Sequence, residues 1–157
     1  MNWKTISLTG IIALSLGGCS NSKCIKYTVI ENGQEVVYST KDARVHKQVL
    51  SNTDWITIYE VDRNHDNVPD FILAEGMHKN GEDELSMRAL FTDSDMDGYV
   101  NFLHLDRLND KNEQTADGKI DMTVDIKQTY IKQVGNNDMP KSMKMDAVLQ
   151  TLLTGKR

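Results

Sequence analysis

From residue 25 onward, apolar and polar side chains largely alternate, the two-residue period of strands with one buried face. Residues 25–31 and 34–40 are β-rich runs separated by Asn32-Gly33, the strongest short signal for a hairpin. Residues 41–51 fit two descriptions: Val45, Val49 and Leu50 share a helical face, and a strand fits as well. Residues 55–61 predict a strand with Trp55, Thr57, Tyr59 and Val61 on one face and Ile56, Ile58 and Glu60 on the other. Phe71-Ile72-Leu73-Ala74 is short and wholly apolar, which predicts a central strand covered on both sides. Residues 76–83 are polar and read as a connector. Two more strands follow, one at 85–91 with Leu85, Met87, Ala89 and Phe91 on one side, the other at 100–105. Residues 120–134 give the clearest strand pattern, with Ile120, Met122, Val124 and Ile126 on one face and a bend or edge near Gln128 and Lys132. After a turn at 135–138, Pro140 suits the start of a helix over 141–153, where Met145, Val148, Leu149 and Leu152 recur at helical spacing. The expected fold is mainly β with some α: a compact antiparallel sheet or sandwich with a C-terminal amphipathic helix on it.

Two acidic stretches break the alternation in the same way. Residues 93–101 read DSDMDGYVN and residues 62–70 read DRNHDNVPD. Each carries side-chain oxygens at positions 1, 3, 5 and 9, and a residue tolerant of positive φ at position 6, Gly98 in one and Asn67 in the other. Carboxylates this close repel by roughly 4 kcal/mol per pair at 4 Å and an effective dielectric of 20, unless a positive charge sits among them. Hard oxygens at 1, 3 and 5 followed by a turn at 6 are the ligand set that Ca2+ takes. The expected ligands of the first loop are Asp62, Asn64, Asp66 and Asp70 with the Val68 carbonyl. Those of the second are Asp93, Asp95, Asp97 and Asn101 with the Tyr99 carbonyl. A worn third copy at 113–121 keeps Asp117 and Asp121 and places Glu113 and Thr115 at positions 1 and 3. The ordinary alternative is a set of solvated turns, since Asp, Asn and Gly are common turn formers.

The two good loops resemble the DxDxDG calcium loops of dockerins, thrombospondin type 3 repeats and FG-GAP/VCBS repeats. Strands rather than helices flank both, and Pro69 suits a helix interior badly, so the resemblance is to the FG-GAP/VCBS type, where the loop connects strands. The chain departs from an EF-hand at position 12, where Leu73, His104 and Val124 replace the bidentate Glu. The resemblance implies weak extracellular-type affinity, about 10⁻⁴ to 10⁻³ M. A complete propeller of such repeats needs several blades and does not fit this length.

The first 18 residues stand apart. Lys4 precedes an apolar run over 6–16, too short to span a bilayer, which takes roughly 20 residues. The run ends in Leu16-Gly17-Gly18-Cys19, which resembles a bacterial lipobox. The resemblance implies cleavage before Cys19, lipid on its sulfur and new N-terminus, and, with Ser20 next, sorting to the outer membrane. Residues 19–24 are then a lipidated tether and 25–157 a single domain. With Cys19 lipidated, Cys24 stands alone as a free thiol or an intermolecular bridge; without lipidation, a Cys19–Cys24 bridge is the alternative.

Removing residues 1–18 from the 157 leaves 139, one domain's worth, and moves the net charge from −5 to −6 by removing Lys4. Acid grouped in loops on an acidic chain excludes nucleic acid as the expected partner. The expected partners are a membrane, through the lipid, and an envelope protein or glycan. Enzyme signatures are thin: His46, His65, His78 and His104 are scattered, with no HExxH, and no GxSxG is present. The alternative function is a cell-envelope hydrolase using a divalent metal. A narrower one is Zn2+ or Mn2+ bound by loop acids with His65 or His104, which the oxygen-rich ligand set disfavours.

Overall fold

The computed structural model describes residues 24–107 and 120–155. Strand β1 (Lys26–Glu31) and strand β2 (Gln34–Ser39) form the expected hairpin, closed by Glu31 opposite Gln34. Asn32 and Gly33 both take positive φ, 51° and 76°, as the two central residues of a right-twisting hairpin turn require. The next six strands are β3 (Arg44–Val49), β4 (Asp54–Val61), β5 (Phe71–Asn80), β6 (Glu82–Thr92), β7 (Phe102–Arg107) and β8 (Met122–Asp125). They pair antiparallel in chain order, so every neighbour in the sheet is a neighbour in sequence. Helix α1 (Ile126–Val134), a 3₁₀ turn (Lys141–Met143) and helix α2 (Met145–Thr154) complete the fold.

The pleat sorts the core into two halves. On β4, Tyr59 and Val61 join Phe71, Leu73 and Leu90 beneath Tyr27, Val29 and Tyr38 of the hairpin. Ile58 and Ile72 point the other way, onto Met145 and Leu149 of α2, with Val148, Leu152 and Leu153 packed alongside. The six-stranded sheet is therefore a middle layer, with a hairpin on one face and a helix on the other. Ile58, Ile72 and Met145 are fully buried; a side chain of that size contributes about 1.5–3 kcal/mol on burial.

The hairpin is also fastened by buried polar groups. Glu31 Oε1 lies 2.7 Å from His104 Nε2 and accepts from Thr92 Oγ1 at 2.6 Å, while Oε2 accepts from Tyr38 at 2.8 Å. His104 Nδ1 sits 2.9 Å from Thr123 Oγ1. An ionised carboxylate only accepts, so Nε2 carries a proton. One strand-length away, Tyr27 donates to Asp106 Oδ2 and receives Arg88 Nη1, both at 3.0 Å.

Residues 41–51, which fitted either a helix or a strand, contain strand β3 (Arg44–Val49). Two sequence expectations change. The apolar tetrapeptide at 71–74 is only the buried half of β5, and the expected connector at 76–83 is a long hairpin with Gly81 (φ 84°) at its tip. Its polar residues lie where the strands run past the core: Lys79 and Asn80 are exposed. The strand expected over 120–134 exists only as β8, and residues 126–134 are α1. Asp125 caps that helix by accepting from Gln128 N, and Gly135 ends it in the left-handed conformation at φ 69°.

Cys24 is disulfide-bonded, so of the expected states it is a bridge rather than the free thiol, and its sulfur lies 3.4 Å from Ser39 Oγ. The chain's other cysteine, Cys19, lies with the lipobox outside the described residues. Among the described residues no helix is long and apolar enough to cross a membrane.

Candidate metal centre

The two acidic loops occupy equivalent places in the sheet. Loop one (62–70) joins β4 to β5 and loop two (93–101) joins β6 to β7. Their backbones are held by the same hydrogen bonds. The position-1 carboxylate accepts from the amides of positions 5 and 6: Asp62 from Asp66 (3.3 Å) and Asn67 (2.9 Å), Asp93 from Asp97 (3.2 Å) and Gly98 (2.7 Å). The position-5 carboxylate accepts from position 7: Asp66 from Val68 (2.8 Å), Asp97 from Tyr99 (3.0 Å). The position-9 side chain closes the loop onto position 2: Asp70 takes Arg63 N and Asn101 takes Ser94 N. Position 9 N then donates to the last carbonyl of the preceding strand, Asp70 to Val61 and Asn101 to Thr92, both at 2.8 Å.

Positions 4 and 6 have positive φ in both loops, His65 (60°) and Asn67 (68°) in one, Met96 (56°) and Gly98 (85°) in the other. Nothing approaches a Cβ built on Gly98 closer than Val68 Cγ1 at 3.9 Å. Gly98→Ala is therefore expected to cost about 1 kcal/mol through backbone strain alone. A urea melt measures it, and a far larger loss indicates a steric clash instead.

In loop two the carboxylates converge. One oxygen from each of Asp93, Asp95 and Asp97 falls within 4.8 Å of the others, a triad that can hold a metal ion. Lys127, from the first turn of α1, reaches this focus with Nζ 2.5 Å from Asp95 Oδ2 and 2.6 Å from Asp97 Oδ2. Two of the three carboxylates, Asp95 and Asp97, thus share one positive charge. The titration behaviour follows. Burial pushes the Asp93 carboxyl up to about 6, against the pull of the Gly98 and Asp97 amides. Partial burial also raises Asp95, but its hydrogen bonds to Lys127 and Asn101 outweigh that and hold it low. Lys127 is raised overall, because the two carboxylates outweigh its desolvation.

The loops lie side by side, Asp93 N donating to the Asp70 carbonyl at 2.9 Å. Between them is a cleft of about 130 Å³ lined by Asn64, Asp66, Val68, Asp70, Asp93, Met96, Asp97 and Gly98. The surroundings differ. Loop two is gripped by the C-terminal segment: Val100 N bonds Met143 O, Met145 N bonds Gly98 O, and Tyr99 bridges to Lys144. Both tips are exposed, residues 63–67 of loop one and 94–97 of loop two.

Of the third loop, Glu113, Thr115 and Asp117 lie outside the described residues, and Asp121 is exposed, its amide donating to Leu105 O. The histidines take separate partners: His46 pairs with Glu60, His78 with Asp54, His104 with Glu31. His104 is fully buried under the hairpin against Glu31, and His65 is exposed at position 4 of loop one. Lys127 was not legible beforehand, because nothing in local spacing joins it to acids 30 and 32 residues earlier. Neither a known protein family nor any curated protein or solved structure matches the chain.

Proposed function

We propose that this chain is a lipid-anchored cell-envelope protein whose loops bind Ca2+, acting as a structural or binding module. The observation that carries the calcium reading is the shared hydrogen-bond scheme of the two loops. In both turns it fixes the carboxylates of positions 1 and 5 against backbone amides, and in loop two one oxygen each from positions 1, 3 and 5 lies within 4.8 Å of the others, a grouping that suits a hard cation. Without Glu at position 12 each ion keeps water ligands and binds weakly, so its role is to hold the loops together rather than to signal. The loops stand at one end of the sheet beside a shared cleft, where an ion stiffens the surface offered to an envelope protein or glycan.

Terbium tests the metal. Luminescence sensitised by Tyr99 and competed away by Ca2+ is expected, and Asp95→Ala with Asp97→Ala should abolish it. A folded protein with no signal, or one unchanged by that pair of substitutions, sinks the reading.

The anchor is proposed from the lipobox-like tetrapeptide before Cys19. Thioether formation and a bridge to Cys24 would compete for the same sulfur, so lipidation predicts a mature protein whose Cys24 is free or bridged to another molecule and not to Cys19. Metabolic labelling with a palmitate analogue, lost in Cys19→Ala, is the expected result. An unlabelled protein carrying an intact Cys19–Cys24 bridge is the contrary one.

A further inference from the structure

We infer that Lys127 is a tethered cation that fills loop two when metal is absent, so that a divalent ion must displace it to bind there. This rests on the calcium reading and adds to it an internal competitor that makes the two loops unequal.

The geometry sets the competition. Positions 3 and 5 are two of the oxygens a cation at the loop focus needs, and Lys127 Nζ holds both, at 2.5 and 2.6 Å. The tether is short and fixed. Ile126 N and Lys127 N both donate to the carbonyl of Asn101, position 9 of the same loop, at 2.9 and 3.3 Å. Asp125 caps the helix start. The ammonium is thus delivered from a helix that begins on the loop it fills, at high effective concentration.

The helix is not what favours a cation there. α1 has no acid in its first turn, and a positive charge at a helix N-terminus opposes the macrodipole. The loop carboxylates supply the attraction. Loop one has the same ligand pattern without this feature: Asn64 Nδ2 donates to Asp66 Oδ2 at 3.0 Å, and Arg63 turns away to lie over Tyr38 and Phe71. Among the described residues no ion pair reaches Asp62 or Asp66. Loop one therefore fills first as Ca2+ rises. Loop two fills later, and releases Lys127 when it does.

The test isolates loop two in the full chain by silencing loop one with Asp62→Ala and Asp66→Ala. Ca2+ is titrated by calorimetry into this parent and into parent carrying Lys127→Met or Lys127→Arg. Lys127→Met is expected to bind about tenfold more tightly, and Lys127→Arg, which keeps the cation, to stay within about twofold of the parent. Equal or weaker binding by a folded Lys127→Met overturns the inference while leaving the calcium reading intact. No binding by any of the three proteins overturns the calcium reading of loop two and this inference with it. The unsubstituted protein supplies a second measurement that needs no variant to fold. Acetylation of Lys127, followed by mass spectrometry against Lys41 as reference, should speed up at least about threefold with Ca2+ as the amine leaves its carboxylates. An unchanged rate under saturating Ca2+ also overturns the inference.

Discussion

Glu31→Ala is expected to destabilise the domain by about 3–5 kcal/mol, because it leaves three buried donors without their acceptor at about 1–3 kcal/mol each. Glu31 is 3% exposed and accepts from three groups, His104, Thr92 and Tyr38. Removing it strands a fully buried imidazole N–H and two hydroxyls between hairpin and sheet. Glu31→Gln keeps the shape and one acceptor oxygen and should lose much less. Ile30→Ala, one residue away on the exposed face, should lose almost nothing. Urea unfolding followed by circular dichroism ranks the three, and an alanine variant as stable as the wild type refutes the fastening role. The same site sets an acid limb. Burial raises the Glu31 carboxyl, but the hydrogen bonds from His104, Thr92 and Tyr38 outweigh it and hold it below its usual range. A depressed folded value means the contribution is complete above the unfolded value, about 4.3, and fades as pH falls through the folded one. Stability should therefore drop below about pH 4 in the wild type, and Glu31→Gln should flatten that limb.

Calcium should raise the melting temperature by several degrees. A ligand that binds only the folded state at 100 times its dissociation constant adds about 2.7 kcal/mol per site. For sites in the 10⁻⁴ M class this requires roughly 10 mM Ca2+. In a domain of this size the gain corresponds to about 5–10 °C. Asp93→Ala should remove most of the gain from loop two and also destabilise the metal-free protein. Asp93 is 5% exposed, and its carboxylate organises the turn through the amides of Asp97 and Gly98. Asp95→Ala should separate these effects, because the Asp95 side chain is half exposed and its strong contact is to Lys127. Scanning calorimetry with chelator and with Ca2+ makes the comparison; identical curves would rule out a structural ion.

Much of the fold follows from short-range chemistry. Asn32-Gly33 closes a hairpin because two consecutive residues there must accept positive φ. The order of the large sheet is equally local, since each strand pairs with the next. The loop registers were legible for the same reason: oxygens at 1, 5 and 9 serve backbone amides no more than seven residues away. The error at 126–134 has a physical cause. Ile126, Tyr130 and Val134 are four residues apart, an even number that satisfies strand alternation and is also close to one helical turn. The cap at Asp125 and the glycine at 135 break the tie, and both signals stood in the sequence.

By itself, then, the sequence determined the hairpin, most of the alternating strands, the helix carrying Met145 and Leu149, and the spacing of side-chain oxygens within each acidic turn. These depend on residues close enough in the chain for backbone geometry to relate them. Only the tertiary structure decided that Glu31 meets His104 across 73 residues, and that Lys127 reaches acids of another element. Such pairs are set by how layers stack and where a helix starts. A polar side chain carries no mark of its distant partner until burial forces the two to satisfy one another.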